Sequence, residues 1–361
     1  PIALSDLIGI DVMIGVTEAI WDHFRETRFA PQPILRQLAT AGFRGRKSGR
    51  GFYRYQEPGS PLTVAEGQVR PPADPSTIAS WRRVGVVGTG MMATGIVQVC
   101  AQNGFDVVVL GRARHKAERV IDEMSKRLQK VVDNGELSED ERARIIGQAK
   151  PTVDFEDLGD CDILLEVVTE DLGVKQAVFA ALDSIAKPDA ILATTTSSLG
   201  VIDCAIATKR PERVVGLHFF DPAAVTRLAE LVATVRTSEE VLDQARAFVE
   251  RIAQNVVLCS DRAGFIVNAL LFPYLNDAVR MLESHYATSE EIDTAMKLGC
   301  GHPMGPFELM DVVGLDVTLG IIERLYEEFR QPSFTPAPLL RNLVDVGFLG
   351  KKVGRGFYVY P

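Results

Sequence analysis

The sequence lacks several features that would each point to a class of protein. It has five cysteines in 361 residues, and they lie too far apart for a zinc motif or a disulfide framework. It has no excess of positive charge, because 48 acidic residues outnumber 39 basic ones, so a nucleic-acid-binding surface is not expected. It also has no apolar run of the length that spans a membrane. These absences predict a soluble, cytoplasmic protein with no metal, nucleic acid or membrane among its partners.

What the sequence does contain is an internal repeat. Residues 1–55 align without a gap with residues 306–360, and about half of the aligned residues are identical. For example, Gly49-Arg50-Gly51-Phe52-Tyr53 recurs as Gly354-Arg355-Gly356-Phe357-Tyr358. A helical run from Gly264 precedes only the second copy, so we expect residues 1–55 to form a partial helical domain. Its apolar face is expected to pack on the other copy as an internal pseudo-dimer, in a chain that is a monomer or a homodimer.

Between the two copies, the pattern changes twice. Residues 56–80 are rich in proline and polar residues, so they are predicted to be a linker. Residues 81–260 alternate short β-branched runs with helical stretches, which predicts a Rossmann-type, doubly wound α/β sheet. Residues 261–361 are mainly helical and are predicted to form an all-α C-terminal domain. The clearest predicted strands are Val84–Val87, Val107–Leu110, Ile163–Val168, Ala190–Thr194 and Val214–His218.

A glycine motif follows the first of these strands. Gly88, Gly90 and Ala93 fit the pattern G-x-G-x-x-A between a strand and a helix. In such a motif the first glycine permits a tight turn, the second lets a pyrophosphate approach the backbone, and the alanine permits close helix packing. The start of the helix, with Met91 and Met92, then faces the phosphates. The segment therefore predicts a dinucleotide-binding site.

The next predicted strand ends without the acidic residue that usually binds the adenosine ribose. Gly111 and Arg112 stand there instead, followed by further cationic side chains. Without a carboxylate there is no repulsion toward a 2′-phosphate, and an arginine can bind a phosphate through two hydrogen bonds. We therefore favour NADP(H) over NAD(H). The alternative is that these are solvated charges at a helix start and that NAD binds without the usual carboxylate.

Four polar residues are candidates for chemistry. His218 lies between apolar and aromatic residues, and Glu230 follows twelve residues later in another apolar run. A buried imidazole facing a carboxylate can take and return a proton near neutral pH, although a satisfied core histidine explains the pair in isolation as well. Ser197 follows the predicted strand Ala190–Thr194, at the edge where α/β sheets bind ligands, and alone it is a typical helix cap. Asn268 lies at the start of an apolar helix. Its side chain is either an amide that is satisfied within the core or a hydrogen-bond donor to a substrate carbonyl.

Together these segments resemble the L-3-hydroxyacyl-CoA dehydrogenase family, in particular the bacterial 3-hydroxybutyryl-CoA dehydrogenases. The resemblance runs from about Arg83 to Tyr360, and residues 1–55 resemble the second half of the family's C-terminal helical domain. The segments that carry it are Gly88-Thr89-Gly90-Met91-Met92, Glu170-Asp171-Leu172, Thr196-Ser197-Ser198-Leu199, His218-Phe219-Phe220-Asp221-Pro222, Gly264-Phe265-Ile266-Val267-Asn268 and His302-Pro303-Met304-Gly305-Pro306.

The resemblance implies that the chain oxidises the 3-hydroxyl group of an acyl-CoA to a ketone, or catalyses the reverse, with a nicotinamide cofactor. His218 would remove the hydroxyl proton, while Glu230 would orient the imidazole and stabilise its charged form. Ser197 and Asn268 would bind the C3 oxygen or the thioester carbonyl. The resemblance further implies cofactor contacts for Glu170 and Lys175, and contacts with CoA for Arg127 and Lys130.

Two other functions remain open at this point. The partial copy at residues 1–55 suggests an upstream dehydrogenase unit in a tandem protein, within which this chain would be a non-catalytic assembly module. The third candidate is a dehydrogenase that acts on a hydroxy acid without CoA. The intact set of predicted catalytic residues favours an active enzyme over the assembly module, and the non-CoA dehydrogenase would lack a CoA groove near Arg127 and Lys130. Thr195 and Asp221, which stand where the family usually has asparagine, replace no proton-transfer group.

Overall fold

A computed structural model describes residues 1–64 and 72–361 of the chain. Its contacts divide the chain into two units, Pro1–Pro72 and Ala73–Pro361. The smaller unit begins with helices and ends in a pair of short antiparallel strands. Its elements are α1 (Ile2–Ile8), α2 (Ile10–Phe24), α3 (Pro33–Thr40), β1 (Arg54–Tyr55) and β2 (Thr63–Val64).

The larger unit is built on a sheet that comprises eight strands of the described residues. These are β3 (Arg83–Val87), β4 (Asp106–Leu110), β5 (Ala149–Thr152), β6 (Ile163–Glu166), β7 (Ile191–Thr194), β8 (Val214–Phe219), β9 (Leu228–Ala233) and β10 (Asn255–Ser260). Their spatial order is β10-β9-β8-β7-β6-β3-β4-β5, and only β8 and β9 pair antiparallel. The strand order reverses at β3, between β4 and β6, which is the point where doubly wound sheets bind their ligands.

Helices cover both faces of this sheet. The helices between the strands are α4 (Met91–Gln102), α5 (Arg114–Asp133), α6 (Glu139–Gly147), α7 (Leu172–Ile185), α8 (Val201–Ala205), α9 (Ala223–Thr226) and α10 (Glu239–Arg251). Buried side chains of α4, α5 and α10 pack on one face, and those of α7 and α8 pack on the other. The predicted Rossmann-type sheet is therefore confirmed.

The chain after the sheet is helical, with a hydrophobic core of its own. Its helices are α11 (Val267–Glu283), α12 (Ser289–Cys300), α13 (Pro306–Val313), α14 (Leu315–Phe329) and α15 (Pro338–Asp345). A capping box starts α12: the Thr288 hydroxyl accepts from the Glu291 amide at 3.2 Å, and the Glu291 carboxylate accepts from the Thr288 amide at 2.9 Å.

Sequence analysis missed three of the strands. β5 and β10 are the two edges of the sheet; β5 has no continuous apolar run, and β10 is only partly buried. β9 does have such a run, but it follows β8 too closely for a helical crossover. The chain instead turns back, and this produces the antiparallel pair.

The predicted linker at residues 56–80 is only partly a linker. Residues 56–62 connect β1 to β2, and residues 65–71 lie outside the described residues. Residues 75–78 form a short 3-10 helix, in which the side chain of Ile78 is 1% exposed. The segment is thus anchored by one buried side chain, which a proline-rich composition does not reveal.

The repeated sequences make the same buried hydrogen bonds. In the larger unit, the carboxylate of Asp311 accepts from the amides of Phe357 and Tyr358, both at 2.9 Å, and from the Tyr360 hydroxyl at 3.0 Å. In the smaller unit, Asp6 accepts from the amides of Phe52 and Tyr53, both at 2.9 Å, and from the Tyr55 hydroxyl at 3.1 Å. Both aspartates are fully buried, so each one ties the end of its segment back to a helix.

Replacing Asp311 with alanine should destabilise the larger unit, because two amides and one hydroxyl would lose a buried charged acceptor. The expected loss in free energy of unfolding is about 2–4 kcal/mol. Urea denaturation measures it, with the exposed Asp345 at the end of α15 as a control whose alanine variant should stay within about 0.5 kcal/mol of wild type. Equal losses in the two variants would contradict this role of Asp311.

Candidate active site

The turn after β3 has the backbone geometry that a dinucleotide pyrophosphate requires. Gly88 has a φ of +140°, and a Cβ at this position would lie 2.1 Å from the carbonyl oxygen of Val167, so only glycine fits. Gly90 has no neighbouring atom within 4 Å of its Cβ position, which leaves its backbone open. It also starts α4 without a side-chain hydrogen bond to the first amides. These amides are free to bind an anion at the helix N-terminus.

A cleft of about 660 Å³ lies over this turn, at the carboxyl edge of the sheet. It is lined by every residue predicted to bind the cofactor and by two of those predicted to be catalytic, Ser197 and His218. The cofactor group is Gly88, Gly90, Met91, Met92, Ala93, Gly111, Arg112, Glu170 and Lys175. Residues that are far apart in the sequence therefore share one cavity of a size that suits a cofactor.

At the end of β4, the cleft has little room for an acidic side chain. A Cβ on Gly111 would lie 2.9 Å from the Thr89 side-chain methyl and 3.1 Å from the Ala117 Cβ. Arg112 is exposed at the cleft and forms no ion pair with a described residue, whereas Arg114 pairs with Glu118 at 2.9 Å. Of the described basic residues that line the cleft, Lys175 is paired with Glu166 and Arg112 is not in an ion pair.

His218 and Glu230 meet because β8 and β9 are antiparallel. The register of the two strands pairs these residues directly, and Nδ1 of His218 lies 2.7 Å from Oε2 of Glu230. The exposed fractions are 6% for His218 and 1% for Glu230, and the imidazole also contacts the rings of Phe220 and Phe265. With Nδ1–H donating to the carboxylate, Nε2 is the nitrogen that can accept a proton.

Glu230 is held in its ionised form by its surroundings. Its other oxygen, Oε1, accepts from the amides of Ile266 and Val267 at the start of α11, at 3.0 and 2.9 Å. Burial raises the pKa of this carboxyl, but the hydrogen bonds from His218 and from the two amides outweigh burial and lower it. The pair can therefore stabilise a positive charge on the imidazole.

Ser197 lies on a loop that a carboxylate and an amide hold in place. Oε1 of Glu170 accepts from the Thr196 hydroxyl at 2.6 Å and from the Ser197 amide at 2.9 Å. Nδ2 of Asn268 donates to the Ser197 carbonyl at 3.4 Å. Helix α8, which follows, is capped by Asp261 instead, so Ser197 is not a helix cap.

The sequence analysis missed Glu166, a buried carboxylate beside the cleft that pairs with the predicted cofactor contact Lys175. Lys175 is 1% exposed, and its ammonium lies 2.9 and 3.0 Å from the two carboxylate oxygens of Glu166, the last residue of β6. It also lies 3.3 Å from Glu170. Burial raises the pKa of Glu170, but the charge of Lys175 and hydrogen bonds from the loop lower it overall. The sequence signal for Glu166 was its position, as an acidic residue at the end of an apolar strand at the ligand-binding edge of the sheet.

The two candidate CoA contacts do not line the cleft. Arg127 is partly exposed and Lys130 is exposed, both on α5. Glu230 and Asn268 are not lining residues either, but each is hydrogen bonded to one that is.

Within residues 1–64 and 72–361, no group of His, Cys, Asp or Glu side chains is arranged to hold a metal ion. No helix of these residues has both the length and the apolar character to cross a membrane.

Comparison with known families gives matches over both parts of the chain. Residues 83–262 match the model of the 3-hydroxyacyl-CoA dehydrogenase NAD binding domain. Residues 1–55 and 264–360 both match the model of the 3-hydroxyacyl-CoA dehydrogenase C-terminal domain. The segment 1–55 therefore resembles the same domain as the end of the chain does.

Individual relatives cover most of the chain. A 3-hydroxybutyryl-CoA dehydrogenase of Mycobacterium tuberculosis is 46% identical over 281 residues, which are 77% of this chain and 98% of the relative. One from Clostridioides difficile is 40% identical over 278 residues, 77% of this chain and 99% of the relative. The crystal structure of (S)-3-hydroxybutyryl-CoA dehydrogenase from Ralstonia eutropha matches with a TM-score of 0.76 at 36% identity, over 78% of this chain and 99% of that one.

Replacing Glu230 with glutamine should lower the stability at neutral pH by about 2 kcal/mol, because a buried charged acceptor is lost. Since folding lowers the pKa of Glu230, its contribution is fully present above the ordinary value of about 4.3 and is lost as the pH falls through the lower folded value. The deficit of the variant should therefore shrink below about pH 4. Thermal unfolding between pH 7 and pH 3.5 measures it.

The exposed Glu136, whose side chain forms no hydrogen bond with a described residue, provides the control for this experiment. Its glutamine variant should melt with wild type at every pH. A Glu230→Gln deficit that stays constant down to pH 3.5 would show that the carboxylate charge does not stabilise the fold.

Proposed function

The chain belongs to the 3-hydroxyacyl-CoA dehydrogenase family, and from this we propose that it oxidises short-chain (S)-3-hydroxyacyl-CoA substrates, such as 3-hydroxybutyryl-CoA, and catalyses the reverse reaction. The observation that carries the proposal is the buried His218–Glu230 pair, whose imidazole opens onto a cleft built over a dinucleotide turn. A proton acceptor beside a nicotinamide site is what alcohol oxidation needs. A non-catalytic assembly module would need no such pair.

In the proposed mechanism, His218 moves the proton. Nε2 takes the proton of the 3-hydroxyl group, so that C3–O becomes a carbonyl as hydride leaves C3. Glu230 keeps the ring oriented through Nδ1 and stabilises the imidazolium, and its own hydrogen bonds to the start of α11 hold it in place. A bound nicotinamide cofactor supplies the acceptor for the hydride. In the reverse direction the imidazolium returns the proton to the oxygen.

Ser197 and Asn268 are proposed to position the substrate oxygen. Ser197 lines the cleft, and the Asn268 amide lies against the carbonyl of the same residue. Hydrogen bonds from a hydroxyl and an amide to the C3 oxygen or the thioester carbonyl would hold C3 in line for hydride transfer. Arg127 and Lys130 remain candidates for CoA contacts on the strength of their charge alone, because they lie on α5, outside the cleft lining.

We propose that the cofactor is NADP(H). The chain's own residues support this in two ways: Gly111 provides no carboxylate to repel a 2′-phosphate, and the exposed Arg112 has no partner among the described residues. The glycine turn and the uncapped start of α4 fit the pyrophosphate that NAD and NADP share. The preference between the two cofactors therefore depends on the end of β4.

We also propose the domain division that the sequence suggests, with residues 1–55 as a partial helical copy of residues 306–360. The shared family match and the equivalent bonds of Asp6 and Asp311 support it. The sequence left monomer and homodimer open for the whole chain. Light scattering of the purified protein distinguishes the two by molar mass.

Acetoacetyl-CoA with NADPH or NADH tests the activity directly, by the loss of cofactor absorbance. Replacing His218 with glutamine should lower kcat by about 10²- to 10⁴-fold, because the proton acceptor is lost, while the Kd for NADPH stays the same. The exposed His285, outside the cleft lining, gives a control variant with wild-type kcat. A His218→Gln enzyme that kept most of its rate would show that His218 is not the base.

Replacing Arg112 with alanine should raise the KM for NADPH by about tenfold and change the KM for NADH little, because only NADPH carries the 2′-phosphate. Arg114→Ala is the matched control, since the guanidinium of Arg114 is paired with Glu118. Initial rates over a range of cofactor concentrations give the four values. A wild-type enzyme that prefers NADH would contradict the proposed cofactor.

A further inference from the structure

Glu166 is a buried carboxylate that bonds two residues of the cleft wall, Lys175 and Val168. It is 0% exposed, and it accepts from the Lys175 ammonium, from the Thr194 hydroxyl at 2.7 Å and from the Val168 amide at 2.7 Å. A carboxylate removed from water is costly unless it is paired and hydrogen bonded, and Glu166 is both. It does not itself line the cleft, so it acts through its partners.

Lys175 is the first of these partners, and its position depends on Glu166. Its side chain lines the cleft although only 1% of it is exposed. The ammonium has three protons, and three carboxylate oxygens lie within reach: both oxygens of Glu166, at 2.9 and 3.0 Å, and Oε2 of Glu170, at 3.3 Å. A lysine has a flexible stem and freely rotating donors, so this arrangement is what fixes the charge at one point of the cleft wall.

The connection continues from Lys175 to the loop that carries Ser197. Oε2 of Glu170 faces Lys175, while Oε1 accepts from the Thr196 hydroxyl and from the amides of Ser197 and Ser198. Glu166 therefore lies at the inner end of a continuous network of charged and hydrogen-bonded groups. The network joins β6 to α7 and to the loop after β7. Its members Lys175, Glu170 and Ser197 line the cleft.

We propose that Glu166 is a positioning residue, which holds the Lys175 ammonium at the cofactor side of the cleft and, through Glu170, the Ser197 backbone at the substrate side. This inference rests on the proposed function, because it assigns cofactor and substrate to the two ends of the network. Glu166 would then control the affinity for the cofactor and the turnover of the substrate, although it touches neither of them.

Glu166→Asp is the main test, because it keeps the charge but shortens the side chain by one methylene and draws Lys175 away from Glu170. We expect the Kd for NADPH to rise, and kcat with acetoacetyl-CoA to fall, each about tenfold, since displacements of about 1 Å in a site have effects of this order or larger. Cofactor fluorescence without substrate gives the Kd, and thermal unfolding of the same samples gives the melting temperature.

Asp162→Asn is the matched control. Asp162 is also a buried, ion-paired acid next to β6, but it lies at the opposite end of the strand, where it bonds Lys187 and the amide of Arg83. Its variant should lose stability while the Kd and kcat stay at wild-type values. If Glu166→Asp lost only stability, as Asp162→Asn does, Glu166 would be a structural residue and the proposal would be overturned.

A double variant keeps the test decisive if Glu166→Asp does not fold. Glu166→Gln combined with Lys175→Met removes both buried charges together, so no lone charge is left in the interior. We expect this variant to fold and to bind NADPH about tenfold more weakly than wild type. Wild-type binding by the double variant would overturn the proposal. Wild-type protein that binds NADPH but does not reduce acetoacetyl-CoA would contradict the proposed function instead, and the Kd would still test Glu166.

Discussion

The antiparallel pairing of β8 with β9 is the constraint on which the rest of the site depends. It places His218 opposite Glu230 and leaves the second oxygen of Glu230 for the amides that start α11. One carboxylate thus orients an imidazole and attaches the helical end of the unit to the sheet. A parallel β9 would need a crossover of a dozen or more residues, and the two side chains would then not be neighbours.

The same device recurs around the carboxyl edge of the sheet. Glu170 accepts amides of the Ser197 loop, Asp261 accepts the first amides of α8, and Glu166 accepts the amide of Val168. Each acid fixes backbone amides of a segment at this edge. Loops with bonded amides are fixed before any ligand arrives, which lowers the conformational entropy that binding would cost.

The sequence was sufficient for the central strands and the dinucleotide turn, because both leave local patterns: β-branched runs for the strands, and a glycine at position 88, where a Cβ would collide with Val167. The 2.7 Å contact between His218 and Glu230 also agrees with the pairing that their apolar surroundings suggested. What the sequence did not reveal is long-range. The pairing of Glu166 with Lys175 and the capping of α8 by Asp261 join segments that only the folded sheet brings together.

The crowding around Gly111 restricts how this protein can change. The Thr89 methyl and Ala117 occupy the space that a side chain at this position would need, so an acidic residue cannot enter by one substitution without moving α5 or the glycine turn. Packing as well as charge therefore limits which residue can follow β4 in this protein.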